Sequence, residues 1–338
     1  MDPPQSTSWI SYSFCMMHAG PPRRKMQCLW DISAMPYIMS DGVKLYFEEN
    51  GSGYPIIFLH EFESDCRAWE RQIRHFARGY RCITCNARGY PPSDVPEEQG
   101  SYSWEYAVDD IVAVMRGLAI SRAHVVGTSM GGYTALQLGL RHPEKVSAIV
   151  AAATGSGSST RERDNWLKKS EILARSFAAR GMDAMARKMA HHPSRIQLKY
   201  KDPIAWREFV ERLKQHSELG MSNTLSGYLA LRPSLNDFRD QFSCMTVPIL
   251  LAVGDDDGPC LETNLMLKST LPAAGLWICA NTGHAINLEE AAAFNAEVES
   301  FLCAVERKSW RRGYPQKALS VLSEVVPASS FDLDGGEQ

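Results

Sequence analysis

The sequence predicts an α/β fold: a mostly parallel central sheet with helices on both faces and one inserted helical segment. Three observations carry this expectation. Between residues 36 and 154 short apolar runs alternate with amphipathic stretches, the rhythm of repeated β-α units. The run Ile56–His60 (IIFLH) is apolar over four residues, as expected of a strand buried on both faces. The rhythm stops at 155 and resumes near 244, so one sheet is split by an insertion.

Taken in order, YIMSDGVKLYFEENG places the hairpin signal Asp41-Gly42 between two β-rich runs. After the strand at Ile56–His60, Trp69, Ile73 and Phe76 recur at helical spacing within Cys66–Arg78. A strand over Arg81–Asn86, a helix over Trp104–Leu118 and a strand over His124–Gly127 follow. The helix Met130–Arg141 must stop before Pro143, and Val146–Ala151 reads as the next strand. Residues 155–243 open with GSGSST, hold no convincing strand and are rich in Arg, Lys and Met. Met182, Met185 and Met189, at helical spacing there, fit helix core rather than a metal or cofactor role. Strand Pro248–Gly254, helix Leu261–Leu271, strand Leu276–Ala280 and helix Asn287–Val305 complete the pattern. The expected organisation is an extension over 1–35, a core over 36–154 and 244–306, the insertion over 155–243, and a tail over 307–338.

Composition narrows the function. The formal charge is −3, with 44% hydrophobic and 22% charged residues, so no basic field invites a nucleic-acid partner. No apolar run approaches the ~18 residues of a membrane span. Asp2 stands where a secretory signal needs positive charge, so the first residues read as a dispensable extension. Nine cysteines, an odd number and scattered, fit a reducing compartment, and a cytoplasmic location is expected. Cys82 and Cys85 form a C-x-x-C within a strand, where alternation sends the thiols to opposite faces and disfavours a shared metal.

The strongest local signal is Gly127-Thr128-Ser129-Met130-Gly131, a G-x-S-x-G between a strand and a helix. A serine on so tight a turn projects its hydroxyl from the sheet edge, and the flanking glycines let the two backbones approach. Such a hydroxyl needs a base to act as a nucleophile. His284, in the loop after a strand, is the one histidine downstream of the insertion. Asn287 with Glu290 three residues on is read as the start of the following helix. A carboxylate must orient the base, and Asp255, Asp256 and Asp257 all stand at the end of the strand PILLAVG. Asp109 and Asp110 precede the serine and would break the order Ser, Asp, His. His60-Glu61-Phe62 lies where oxyanion donors are expected, the donors being the backbone N–H groups of Phe62 and Met130. For His60 itself a structural hydrogen bond is preferred to a catalytic role.

The segments LHEFESDCRAW, NARGYPPSD, VVGTSMGG, LLAVGDDD and NTGHAINLEE resemble the α/β-hydrolase superfamily, in its branch of esterases, lactonases and C–C hydrolases. The resemblance covers most of 36–306 apart from the insertion. It implies that the acid, as G-x-x-D, falls on Asp257, and that the insertion is a helical lid. Ser129, His284 and Asp257 would then cleave a small carboxylic ester or lactone through an acyl-enzyme, with no metal and no cofactor. Glu61 and the insertion's Trp166, Phe177, Met182, Trp206 and Tyr228 are the candidate substrate contacts. Relatives using aspartate at the elbow, the epoxide hydrolases and haloalkane dehalogenases, are set apart by Ser129. Two departures stand out: Glu61 replaces the usual glycine after the loop histidine, and Pro91 enters a loop that usually reads D-x-R-G-x-G-x-S-D. Rival readings are a C–C or thioester hydrolase or lyase using the same triad, and a non-catalytic small-molecule binding protein. The oligomeric state is left open, a homodimer included.

Overall fold

The computed structural model describes residues 36–310. The extension over 1–35 and the tail beyond 310 lie outside the described residues. Among the described residues, eight strands form one sheet in the order β1-β2-β4-β3-β5-β6-β7-β8. These are β1 (Tyr37–Ser40), β2 (Val43–Asn50), β3 (Tyr54–Leu59), β4 (Tyr80–Cys85), β5 (Ala123–Thr128), β6 (Val146–Ala152), β7 (Ile249–Gly254) and β8 (Ala274–Cys279). β1 and β2 pair antiparallel around Asp41-Gly42, whose φ values of 47° and 79° give the two-residue turn that a hairpin requires. β2 also runs antiparallel to β4, and every pairing from β4 through β3, β5, β6 and β7 to β8 is parallel.

Alternation along the central strands builds a core on each face. Ile57, Leu59, Ile83, Cys85, Val125, Ile149 and Leu251 point to one face, where α2 (Trp104–Gly117), α3 (Met130–Arg141) and the insertion pack. Ile56, Phe58, Cys82, Val126, Val150 and Leu250 point to the other, covered by α1 (Glu70–Phe76) and α11 (Ala291–Glu306). The C-x-x-C thiols therefore sit in separate cores, as the period-2 reading expects. All seven described cysteines are free.

Between β6 and β7 the chain is helical: α4 (Arg163–Ala190), α5 (Ile196–Lys201), α6 (Pro203–Leu213), α7 (Glu218–Asn223) and α8 (Arg239–Ser243). α4 kinks at Gly181 (φ 74°), where the next amide, Met182 N–H, donates to Glu218 Oε1 at 3.1 Å. Met182, Met185 and Met189 are buried in the core beneath. No described helix is long and apolar enough to cross a membrane.

Three sequence boundaries are corrected. The helix expected over Cys66–Arg78 begins as a 3-10 turn, Cys66–Trp69, because the Asp65 carboxylate caps it by accepting from Arg67 N. The helix expected from Leu261 begins at Gly258, with Pro259 in its first turn (α9, Gly258–Thr270). The single helix expected over Asn287–Val305 is two, α10 (Ile286–Glu289) and α11, broken at Glu290 (φ −128°, ψ 48°). Asn287 is not a cap; it is buried and donates to Ala68 O at 3.2 Å.

The loop after β4 is braced by a buried ion pair. Arg88 donates to both oxygens of Asp110 at 2.8 and 2.7 Å, and to Ser101 O at 2.7 Å. Asn86 ties the same loop internally, donating to Pro91 O at 2.8 Å. Asp110 thus serves the fold, while Asp109 is exposed, 3.5 Å from Arg141. Removing one partner of such a pair strands a buried charge and costs about 3–5 kcal/mol. Asp110→Ala is expected to lower the urea midpoint accordingly at unchanged slope. An unmoved midpoint would contradict this account of the loop.

Candidate active site

The tightest point of the chain is the turn from β5 into α3. Ser129 has φ 52° and ψ −107°, a left-handed conformation for a residue with a side chain, which costs on the order of 1–3 kcal/mol. Its neighbours hold it there: Ser129 N donates to Ala152 O at 2.7 Å, and Ser129 O accepts from Tyr133 N at 2.9 Å. A Cβ on Gly127 would lie 2.2 Å from Gly131 O, and one on Gly131 would lie 2.1 Å from Leu59 O. Only glycine lets α3 meet β5 and β3 so closely. The Ser129 hydroxyl hydrogen-bonds to no described residue.

Of the three aspartates after β7, the structure separates one. Asp257 is 3% exposed, and its Oδ2 lies 2.8 Å from His284 Nδ1. Asp255 accepts from Thr282 N at 3.1 Å and Asp256 from Gln197 at 2.6 Å, both at the surface. Gly254 permits the approach of the two loops, since a Cβ there would lie 2.0 Å from Thr282 O. Glu289 then fixes the His284 loop by accepting from Gly283 N at 2.6 Å and Ala285 N at 3.1 Å. Burial opposes charge on His284, but the Asp257 carboxylate outweighs it and holds the imidazole well above the usual histidine value. The same pairing keeps Asp257 low against its own burial.

His60 takes the structural role expected of it. Its Nδ1–H donates to Glu61 O at 2.7 Å and its Nε2 accepts from Ala87 N at 3.0 Å. Burial lowers its pKa, consistent with that neutral ring. The loop is steadied again where Tyr90 donates to Phe62 O at 2.8 Å. The Phe62 and Met130 N–H groups, the expected oxyanion donors, donate to no acceptor among the described residues.

The candidate substrate contacts divide. Tyr228 reaches the elbow, its hydroxyl donating to Met130 O at 3.2 Å and lying 2.7 Å from Thr134 Oγ1. Phe177 packs edge-on against Phe62, centroids 6.2 Å apart. Trp166 lies under the guanidiniums of Arg163 and Arg232, at 5.5 and 5.8 Å. Trp206 packs inside the insertion, against His191 and with Nε1 donating to Ala190 O, rather than at the elbow. Glu61 is 4% exposed and bound by Arg195 at 2.7 and 2.5 Å, so its carboxylate is engaged by protein. A cavity of about 50 Å³ behind the elbow is lined by Met130, Gly131, Thr134, Tyr228, Ile111 and Val114 among others, but not by Ser129 or His284.

Asp257, Cys260 and His284 offer ligand atoms within 4.8 Å of one another. Metal binding by a cysteine needs the thiolate, whereas burial pushes the Cys260 thiol up and Sγ donates to Ala153 O at 3.3 Å. Arg195, Cys260 and Glu289 were invisible to sequence reasoning, because each meets the site only through folding. Asp257→Asn is expected to lower the His284 pKa from its raised value, since burial persists once that charge and its hydrogen bond are gone. An NMR pH titration of the imidazole reads this directly; an unchanged value would contradict the pairing.

The model of the α/β hydrolase fold matches residues 54–291. A 2-hydroxy-6-oxononadienedioate/2-hydroxy-6-oxononatrienedioate hydrolase of Burkholderia vietnamiensis is 26% identical over 282 residues, covering 78% of this chain and 93% of that one. Epoxide hydrolase 3 of Mus musculus is 30% identical over 121 residues, and the match spans only 33% of that protein. An esterase from Exiguobacterium antarcticum superposes with a TM-score of 0.68 at 26% identity, covering 78% of this chain and 98% of that one. The chain therefore belongs to the α/β-hydrolase fold family.

Proposed function

We propose that the protein is a serine hydrolase that cleaves a small carboxylic ester or lactone. The observation that carries this is the pairing of Asp257 with His284 at the sheet edge where Ser129 stands in a strained left-handed turn. His284 Nε2 takes the Ser129 hydroxyl proton as Oγ attacks the carbonyl carbon. The oxyanion is received by the Phe62 and Met130 N–H groups, each such donor being worth ~3 kcal/mol in the transition state. The tetrahedral intermediate expels the alkoxide, which leaves with the proton from His284. Water, deprotonated by the same nitrogen, then releases the acid and regenerates Ser129.

The insertion acts as a lid in this reading. Its Tyr228 and Phe177 meet the elbow and the oxyanion loop, and the apolar cavity against Met130 gives a short alkyl group a place. Chemistry resides in the pocket rather than the scaffold, and the Burkholderia relative is named for a dienedioate. A C–C or thioester bond cleaved by the same three residues is therefore the second reading.

Turnover of nitrophenyl esters of increasing chain length and of simple lactones decides between them. Ser129→Ala and His284→Ala are each expected to lower kcat by on the order of 10⁴-fold or more. Activity surviving Ser129→Ala would overturn the mechanism. Silence of the wild type on every ester and lactone would favour C–C or thioester cleavage, or a binding protein without turnover.

A further inference from the structure

Asp257 faces one nitrogen of His284, and a second carboxylate faces the other. Glu61 Oε2 lies 3.6 Å from His284 Nε2, beyond hydrogen-bond reach but well within the range of strong charge interaction. Glu61 does not wander there; Arg195 grips both its oxygens, and both residues are almost fully buried. Arg195 comes from the turn Pro193–Arg195 of the insertion, and that turn also touches the base, with Ser194 O accepting from His284 N at 3.0 Å.

The local charge leaves Glu61 with something to give. Arg195 Nε lies 3.1 Å from Glu63 Oε2 as well, a charge contact without hydrogen-bond alignment. One guanidinium thus serves two carboxylates, and Asp257 is a third. Two further groups act on His284: Glu63, whose carboxyl burial pushes up, and Cys260, whose Sγ lies 3.8 Å from Nδ1 and which burial keeps as the thiol. An imidazolium at 284 would be the second positive charge in this enclosure.

We propose that Glu61 is a positioning residue for the base, stabilising protonated His284 from the Nε2 side, and that Arg195 of the insertion sets the strength of that interaction. The proton balance is that of the proposed hydrolysis: it leaves Ser129 Oγ, rests on His284 and departs with the leaving group, while Glu61 lowers the energy of the charged interval and takes no proton itself. The inference rests on His284 being the base. It gives the insertion a direct hold on the chemistry, because the residue it contributes touches the carboxylate that faces the base.

The pair makes predictions of opposite sign. Glu61→Gln removes the negative charge beside Nε2 and leaves the buried Arg195 charge without that partner, so the His284 pKa should fall by about one pH unit or more, a tenfold loss of proton affinity. Glu61→Asp keeps the charge and should restore most of that shift. Arg195→Gln removes the opposing positive charge and should raise the His284 pKa. NMR titration of the imidazole in the full chain reads all three, with far-UV circular dichroism confirming folding. An unmoved pKa in Glu61→Gln, or a fall in both Glu61→Gln and Arg195→Gln, would overturn the proposal and leave the pair a packing element. Should Glu61→Gln fail to fold, Arg195→Gln still decides through the sign of its shift. The titration needs no turnover, so its failure is distinct from failure of Ser129→Ala to abolish hydrolysis.

Discussion

The N-terminus of α3 lies against the ends of β3 and β5 with no side chain between them, and the site is built outward from that contact. Gly127 and Gly131 make it possible, each occupying space where a Cβ would lie about 2 Å from backbone. The price is paid at Ser129, held at φ 52° by its N–H donating to Ala152 O and its carbonyl accepting from Tyr133 N. The helix end that results presents free N–H groups and partial positive charge beside the hydroxyl, which suits a developing oxyanion. A second close approach, of Gly254 to Thr282, brings the loops bearing Asp257 and His284 to the same edge of the sheet.

Burial then sets the electrostatics. Asp257 and His284 are both withdrawn from water, and their pairing overcomes the cost of charge in that place. His60, nearby but bonded to a carbonyl and an amide, has no carboxylate partner on its ring and is held down by burial instead. Two histidines that both lie beside Glu61 thus differ in charge preference because of what each nitrogen meets.

Much of this was legible in the sequence because it is written in local signals. The alternation of apolar runs gave each core strand to within a residue or two, and the Asp41-Gly42 turn fixed the hairpin. Gly127 to Gly131 marked the elbow. The G-x-x-D of the family resemblance selected Asp257 from three adjacent aspartates, and it is the one that is buried and hydrogen-bonded to His284. What the sequence could not carry was long-range pairing. Asn287 and Glu290 imitate a helix start, yet Asn287 is drawn to Ala68, 219 positions away. Glu61 looked free to meet substrate, yet its partner Arg195 lies 134 positions on in an insertion with no strand periodicity to place it. Trp206 shares its residue type with a good substrate contact, but its lysine and histidine neighbours hold it within the insertion.

The central claim is that Ser129 is made nucleophilic by this frame. The direct measurement is labelling of the folded protein with a fluorophosphonate, followed by mass spectrometry of its peptides. The account predicts one adduct, on Ser129, formed much more slowly in His284→Ala. A protein that stays unlabelled, or is labelled elsewhere with Ser129 untouched, would contradict it.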